Sequence, residues 1–274
     1  AQLLPGIAAG TQLLAWAHDE PAARHRALWV ETRARREGNR WLLTGRKHNV
    51  LHGAGADTLV VSARIAGEPD ARDGVGLFLV RPGAGVQRTA QRLIDDTPAA
   101  DIRFDAAAAE PLGNPDDGVA ALAALEATQE AGLAAVCAES VGVLERAFAM
   151  TVEYVQTRQQ FGRPIGANQA LRHRVAEMRV ALDMVRSAAM AGLLALEMDD
   201  ADERSRELSR AKMLVARHGT FVAQQGIQLH GGIGMTVEYA VGHCLRRLTV
   251  IDQLFGDGAT HAARLGAQLA AQPQ

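Results

Sequence analysis

Two long stretches of helical periodicity, joined by one polar turn, constrain the fold of this chain more than any other feature. Apolar residues recur at three- and four-residue steps from about Leu122 to Tyr154. The same spacing resumes after the turn at Leu171, Val175, Met178, Leu182 and Val185. This spacing predicts amphipathic helices. Because the connection is short, we expect the two helices to be neighbours in a bundle.

The first half of the chain carries short alternating runs that are typical of strands. Residues 29–35 alternate, residues 37–39 form a turn and residues 41–44 return, which predicts a β-hairpin. Clusters of Gly, Pro and Asp separate further strands, which are predicted at residues 58–65, 76–81, 86–91 and 101–104. Together these runs predict an antiparallel sheet or a small barrel.

Turn-forming residues concentrate from Gly113 to Gly118, where the strand pattern ends. We therefore predict an α+β protein, with a middle antiparallel β-domain at residues 13–116 and a C-terminal four-helix-bundle domain at residues 117–274. Its helical segments are predicted at residues 117–157, 167–197, 203–229, 237–251 and 258–271. The acidic stretch from Asp199 to Glu203 is expected to be a solvated helix connection.

Composition excludes several classes of protein. Hydrophobic residues make up 48% of the 274 residues and the formal net charge is −2, which argues against a disordered chain and a nucleic-acid partner. Neither a signal peptide nor a run of about eighteen apolar residues is visible, so we expect a cytoplasmic protein without a membrane span.

The cysteines and histidines suggest no special chemistry. Cys137 and Cys244 lie far apart in apolar helical runs and are predicted to be buried free thiols of a reducing compartment. His218, His230 and His243 lack the i, i+4 spacing of a helical metal pair, so no metal site is predicted.

The polar turn is better equipped than a helix connection requires. Arg158 offers a fork of donors that suits phosphate, Phe161 offers an aromatic face and Gln169 offers an amide. A second segment, residues 228–236, contains glycines that let backbone amides approach a phosphate. From these residues alone, a structural connection and an anion or nucleotide site are both open.

These two segments together resemble the acyl-CoA dehydrogenase family. The first reads Arg-x-Gln-Phe-Gly-x-Pro-Ile from Arg158 and is followed by Gln169, and the second reads Gln-x-x-Gly-Gly-x-Gly from Gln228. Residues 238–251 and 255–257 are most similar to the small subunit of pimeloyl-CoA dehydrogenase and related heteromeric enzymes. The family has a helical domain before its β-domain, so residues 1–12 are expected to be the remnant of that domain.

The resemblance implies FAD as the cofactor and an acyl-CoA thioester as the substrate. It also implies that the two segments reach the ADP half of a neighbouring chain's FAD. Arg158 would pair with the pyrophosphate, Phe161 and Gln169 would lie along the adenosine, and the Gly231 and Gly232 backbone would approach phosphate or ribitol, with Gln228 in the same segment. The neighbour is expected to be a homologous subunit or a second copy in a dimer or tetramer. An electron-transfer flavoprotein is a candidate acceptor.

The half of the site that holds the flavin ring departs from the family pattern. Residues 18–21 read His-Asp-Glu-Pro where Leu-Thr-Glu-Pro is usual. Asn49 stands in place of the stacking Trp, and Leu51 stands in place of a Thr. Because leucine has no hydrogen-bond donor, it cannot bond to a flavin nitrogen.

The catalytic base is also uncertain in the sequence. The family's chemistry removes an α-proton with a carboxylate, and one alignment places that base at Phe255 while another places it at Asp257. A second location used by some members falls on Gly132, and nearby Glu130 is expected to point elsewhere on the helix. Asp257 is therefore either the base or the N-cap of the last helix.

The sequence thus favours a chain that completes a partner's flavin site, as a subunit of a hetero-oligomeric FAD-dependent acyl-CoA dehydrogenase. A flavin-free, non-catalytic structural subunit is the alternative. An oxidase or monooxygenase of the same fold is a third hypothesis.

Overall fold

The computed structural model describes residues 3–115 and 117–271. They form two compact units that divide between Thr128 and Gln129. A few residues of the predicted domains lie outside the described ranges, namely residues 1, 2, 116 and 272–274. Residue 116 is the predicted end of the β-domain. A short helix, α1 (Leu4–Ala8), lies within the segment predicted to be a domain remnant, and that assignment stays a prediction.

A seven-stranded sheet makes up most of the first unit. Its strands are β1 (Leu14–Ala17), β2 (Arg33–Glu37), β3 (Arg40–Leu51), β4 (Thr58–Arg64), β5 (Val75–Val80), β6 (Val86–Arg92) and β7 (Pro98–Pro111). The pairings β4–β2–β3–β7–β5 and β5–β4 close into a ring, to which β1 is added at β4 and β6 at β7. The sheet is therefore a small barrel, one of the two arrangements that the sequence left open.

The predicted hairpin is confirmed. β2 and β3 pair antiparallel from Arg33 with Thr44 to Glu37 with Arg40. β3 then runs past its predicted end, because its inward residues continue to fill the barrel. The core includes Trp41, Leu43, Phe78, Ile102 and Phe104.

Most strand pairings are antiparallel, as predicted for this domain. Two pairings are parallel and were not predicted. β1 runs parallel to β4, and β2 pairs in parallel with β4 through Arg33 and Arg64. A parallel pair needs a crossover connection. The β2–β3 hairpin lies in the chain between β1 and β4, and it supplies that connection.

The five predicted helical segments are confirmed as helices. They are α2 (Gly118–Thr157), α3 (Gln169–Ala195), α4 (Ala201–His230), α5 (Ala240–Gln253) and α6 (Gly258–Ala270). In the second unit α4 packs against α3, α5 and α6. The core there includes Leu144, Met178, Leu182, Val185 and Val222. Both cysteines are buried free thiols, as predicted.

The acidic connection before α4 is exposed and caps that helix. The Asp200 carboxylate accepts from the backbone N–H of Asp202 and of Glu203, at 2.9 and 3.0 Å. Along the described ranges, no helix is long and apolar enough to cross a membrane.

Candidate functional site

The polar turn after α2 is a tight hairpin that displays Phe161. Strands β8 (Gln159–Gln160) and β9 (Arg163–Pro164) pair across a loop in which Phe161 and Gly162 have φ of 53° and 77°. Positive φ at both positions matches a type I′ turn, which suits glycine and strains phenylalanine. The Phe161 side chain is nevertheless 98% exposed. The sequence did not reveal this hairpin, because two-residue strands leave no alternating pattern.

Backbone contacts hold the turn against α2. The Arg158 N–H donates to the Tyr154 carbonyl at 2.8 Å, and the Ile165 N–H donates to the Arg158 carbonyl at 2.9 Å. A Cβ on Gly166 would lie 2.7 Å from the carbonyl oxygen of Val155, so the chain passes very close to the helix there. The backbone of the turn is thus fixed while the Arg158 side chain stays exposed.

The glycine segment after α4 turns back over the end of that helix. Gly231 has φ of 64° and ψ of −140°, which residues with a side chain rarely adopt. A Cβ on Gly234 would lie 2.8 Å from the Ile227 carbonyl oxygen and 3.0 Å from the His230 Cβ. At Gly231 and Gly232 an added Cβ would meet no described atom within 4 Å. The backbone of these two exposed glycines is therefore open to a ligand.

Three rings in contact bring the two turns together, and we call Tyr154, His230 and Tyr239 the aromatic cluster. The His230 ring lies 4.5 Å from the Tyr154 ring and 4.8 Å from the Tyr239 ring, centroid to centroid. Its Nδ1 donates to the carbonyl of Gly226 at 2.6 Å. Burial lowers the pKa of His230, so the ring is neutral at pH 7.

The predicted cofactor contacts therefore share one exposed end of the helical unit. All six are exposed in this chain: Arg158, Phe161, Gln169, Gln228, Gly231 and Gly232. Sequence reasoning considered His230 only as a metal ligand and used Tyr154 only to mark a helix end. Their positions next to the two motifs were the available signal.

In the β unit, His18 and Glu20 form a buried polar network with Lys47 of β3 and Ser62 of β4. Lys47 and Glu20 make a fully buried ion pair at 2.7 Å. Lys47 Nζ also donates to the His18 carbonyl and to Ser62 Oγ, at 2.9 and 3.1 Å. Burial, aided by the Lys47 charge, lowers the pKa of His18 to about 3, so its ring is neutral. The His-Asp-Glu-Pro stretch is thus tied into the barrel.

The stretch that replaces the family's ring contacts is distorted and internally bonded. A bulge separates Lys47 from Val50 in the β3–β7 ladder, and Asn49 has φ of 50°. The Asn49 amide oxygen accepts from Gln91 Nε2 at 2.7 Å, and its backbone N–H donates to Asp101 Oδ1 at 3.1 Å. Leu51 closes the stretch with an aliphatic side chain. These residues offer the flavin ring neither an aromatic face nor a hydroxyl donor.

Asp257 caps α6, which confirms the cap interpretation. Its Oδ1 accepts from the Thr260 N–H at 2.7 Å. A carboxylate oxygen at this position satisfies one of the free donors of the first turn. Its role as a base stays a prediction.

The other two positions at which the resemblance would place a base lie in contact with each other. A Cβ on Gly132 would lie 2.2 Å from Cζ of Phe255, so the phenyl ring packs directly on the glycine. Glu130 pairs instead with Arg204, at 2.7 Å from Oε2 to Nε. The carboxylate expected to point away from this position is thus engaged elsewhere.

Two buried side chains, Lys212 and His261, hold the turn that carries Phe255. Lys212 Nζ donates to the carbonyls of Ile251 and Leu254, at 2.5 and 2.7 Å, and burial lowers its pKa to about 8. His261 Nε2 donates to the Phe255 carbonyl at 3.0 Å, and burial lowers its pKa to about 4. This network keeps Phe255 at φ of 59°, which is unfavourable for its residue type.

Comparisons with known proteins match most of the chain. The family description "Acyl-CoA dehydrogenase, middle domain" matches residues 15–107, and "Acyl-CoA dehydrogenase, C-terminal domain" matches residues 122–270. A Bacillus subtilis protein named acyl-CoA dehydrogenase is 31% identical over 89% of this chain, which spans 64% of that relative.

Two of the similar solved structures carry names of two-chain proteins. The Tcur3481-Tcur3483 steroid ACAD G363A variant is 30% identical with a TM-score of 0.84, over 98% of this chain and 70% of that one. The ChsE4-ChsE5 complex from Mycobacterium tuberculosis is 25% identical with a TM-score of 0.81, over 98% and 69%. This chain therefore spans about two thirds of the length of these proteins.

Proposed function

Because the chain belongs to the acyl-CoA dehydrogenase family, we propose that it is a subunit of an FAD-dependent enzyme that desaturates an acyl-CoA thioester. The observation that carries the proposal is the exposed end of the helical unit. There the Arg158 turn and the Gly231–Gly232 backbone are exposed and are joined by the aromatic cluster.

The residues at this end suit the ADP half of an FAD that belongs to a neighbouring chain. The Arg158 guanidinium can bind the pyrophosphate through paired donors. The exposed Phe161 ring and the Gln169 amide can contact adenosine, while Gln228 and the two glycines can line the phosphate side. These contacts point outward, as a site shared between chains requires.

The β unit fits the flavin ring poorly, and this supports a division of labour. Asn49 presents an amide where the family has an aromatic ring, and the Leu51 side chain has no donor, so neither reproduces the family's ring contacts. We therefore propose that this chain completes a partner's site. The two similar structures named for pairs of chains support a homologous partner over a second copy. The particular likeness to the pimeloyl-CoA dehydrogenase small subunit stays a prediction.

The reaction needs a carboxylate at the acyl α-carbon. A base takes the α-proton, and FAD, when bound, would supply the acceptor for the β-hydrogen, which leaves as hydride. Asp257 is the candidate base in this chain, and since its carboxylate caps α6, we propose that the partner supplies the base. An acyl-CoA substrate, an electron-transfer flavoprotein as acceptor and a cytoplasmic location complete the proposal.

The test measures FAD content. The purified chain alone is expected to bind FAD poorly, and co-expression with a homologous acyl-CoA dehydrogenase chain is expected to give a yellow, active complex. Arg158→Ala in this chain should then abolish the FAD of the complex. The matched control is Arg210→Ala, which removes an exposed guanidinium that pairs with Glu207 one turn earlier in the same helix. A homo-oligomer with one tight FAD per chain and full turnover would refute the shared site.

The alternative is a flavin-free structural subunit. It is favoured by the missing ring contacts and by the Phe255 ring packed on Gly132. Under this hypothesis Arg158→Ala leaves the FAD content of the complex unchanged. The same pair of variants therefore distinguishes the two functions.

A further inference from the structure

The aromatic cluster joins the two turns of the candidate site, although none of its side chains is a predicted cofactor contact. His230 is the central ring and is only 3% exposed. It stacks on Tyr154 with an interplanar angle of 29° and meets Tyr239 at 51°. Tyr154 and Tyr239 also meet edge to face, with centroids 6.2 Å apart.

Each ring stands at the end of a helix that leads into or out of the site. Tyr154 lies in the last turn of α2, and its carbonyl accepts from the Arg158 N–H. His230 is the last residue of α4 and directly precedes Gly231, while Tyr239 immediately precedes α5. A shift of the His230 ring would therefore displace both turns relative to each other.

The packing beneath the cluster leaves the ring little freedom. His230 Nδ1 donates to the Gly226 carbonyl. A Cβ on Gly226 would lie 3.1 Å from Val241 Cγ2 and 3.3 Å from Thr151 Oγ1, so α2, α4 and α5 approach closely at this level. On the other side, Gly234 packs against the Cβ of His230. The ring is thus held by its hydrogen bond, by the stacked Tyr154 ring and by the tilted Tyr239 ring.

We propose that His230 is a positioning residue, which holds the Arg158 turn and the Gly231–Gly232 backbone at a fixed spacing so that both can contact one dinucleotide. This inference rests on the proposed function. A ring that only fills the core would stabilise the fold without affecting the affinity for FAD. A positioning ring affects that affinity beyond its effect on stability.

The experiment compares two buried truncations in the co-expressed complex. His230→Ala removes the stack and the hydrogen bond, whereas Leu182→Ala truncates a buried side chain of the main helical core. Both should lower the unfolding temperature. We expect His230→Ala to weaken FAD binding about tenfold or more and Leu182→Ala to leave it within about twofold, measured by flavin fluorescence. His230→Phe should recover most of the affinity, because it keeps the stack.

Hydrogen exchange of the chain without FAD gives a second measurement. His230→Ala should speed amide exchange at residues 158–169 and 231–236 together, and Leu182→Ala should not. If His230→Ala and Leu182→Ala have equal effects on FAD affinity and on exchange, the positioning role is refuted. If the wild-type complex holds no FAD, the proposed function fails, and the exchange data still decide whether His230 couples the two turns.

Discussion

Two substitutions at Asp257 can distinguish a structural role of its carboxylate from a catalytic one, because they remove different properties of the side chain. Asparagine keeps an acceptor oxygen and is as good an N-cap as aspartate, but it cannot take a proton. Alanine removes both properties. The hydrogen bond from the Thr260 N–H to Asp257 Oδ1, at 2.7 Å, is the interaction at stake.

The expected magnitudes differ clearly. Loss of an N-cap costs about 1 kcal/mol, which for a chain of this size lowers the unfolding temperature by about 2–4 °C. Loss of a general base lowers turnover by a factor of about 10² to 10⁴. If Asp257 is a cap, Asp257→Ala shows the thermal shift, Asp257→Asn shows little, and both complexes keep their turnover.

The assay combines thermal unfolding of the chain with turnover of the co-expressed complex, using an acyl-CoA and an artificial electron acceptor. Full loss of turnover in Asp257→Asn at an unchanged unfolding temperature would show that this carboxylate is the base, against our assignment. An unchanged unfolding temperature in Asp257→Ala would refute the capping argument itself. The two refutations are independent.

Two further predictions concern stability. Gly132→Ala should destabilise the chain by about 1–3 kcal/mol, since its Cβ would clash with the Phe255 ring. The control is Gly142→Ala in the same helix, whose Cβ meets no described atom within 4 Å and which should stabilise the chain by up to about 1 kcal/mol. Denaturant unfolding measures both changes. Acid should also destabilise the fold: burial lowers the pKa of His261 from 6.5 to about 4, so its contribution is present above pH 6.5 and is lost as the pH falls toward 4. The loss amounts to about 3 kcal/mol at this site, and His261→Gln should flatten the pH dependence of the unfolding free energy, whereas an unchanged slope would contradict the assignment.

The helices could be predicted from the sequence because their signal is local. An apolar repeat over α2 or α3 is written in neighbouring residues, and so is the turn chemistry that ends each helix. The parallel pairing of β1 with β4 could not be predicted in this way, because strand partners are chosen by packing across the sheet. β1 has only four residues to show its pattern.

In the candidate site, too, the sequence revealed local motifs but not the contacts that packing creates. The family resemblance pointed to Arg158, Gln169 and the two glycines as candidates, because each of its two motifs is a short local segment of sequence. It could not show that the rings of Tyr154, His230 and Tyr239 pack together, since that contact exists only after three helices have packed. Nor could it show that the Phe255 ring covers Gly132.

Under the proposed function, the exposed Phe161 sets the stability of the isolated chain against its contact with a neighbouring chain's cofactor. A phenylalanine at positive φ with a solvated ring disfavours the folded monomer twice, through its backbone conformation and through its exposed apolar surface. Asparagine or glycine would suit the same turn better. Selection of variants for heat resistance of the isolated chain would therefore replace Phe161 early, and the resulting protein would be more stable alone but would lose the ring that we propose contacts a neighbouring chain's cofactor.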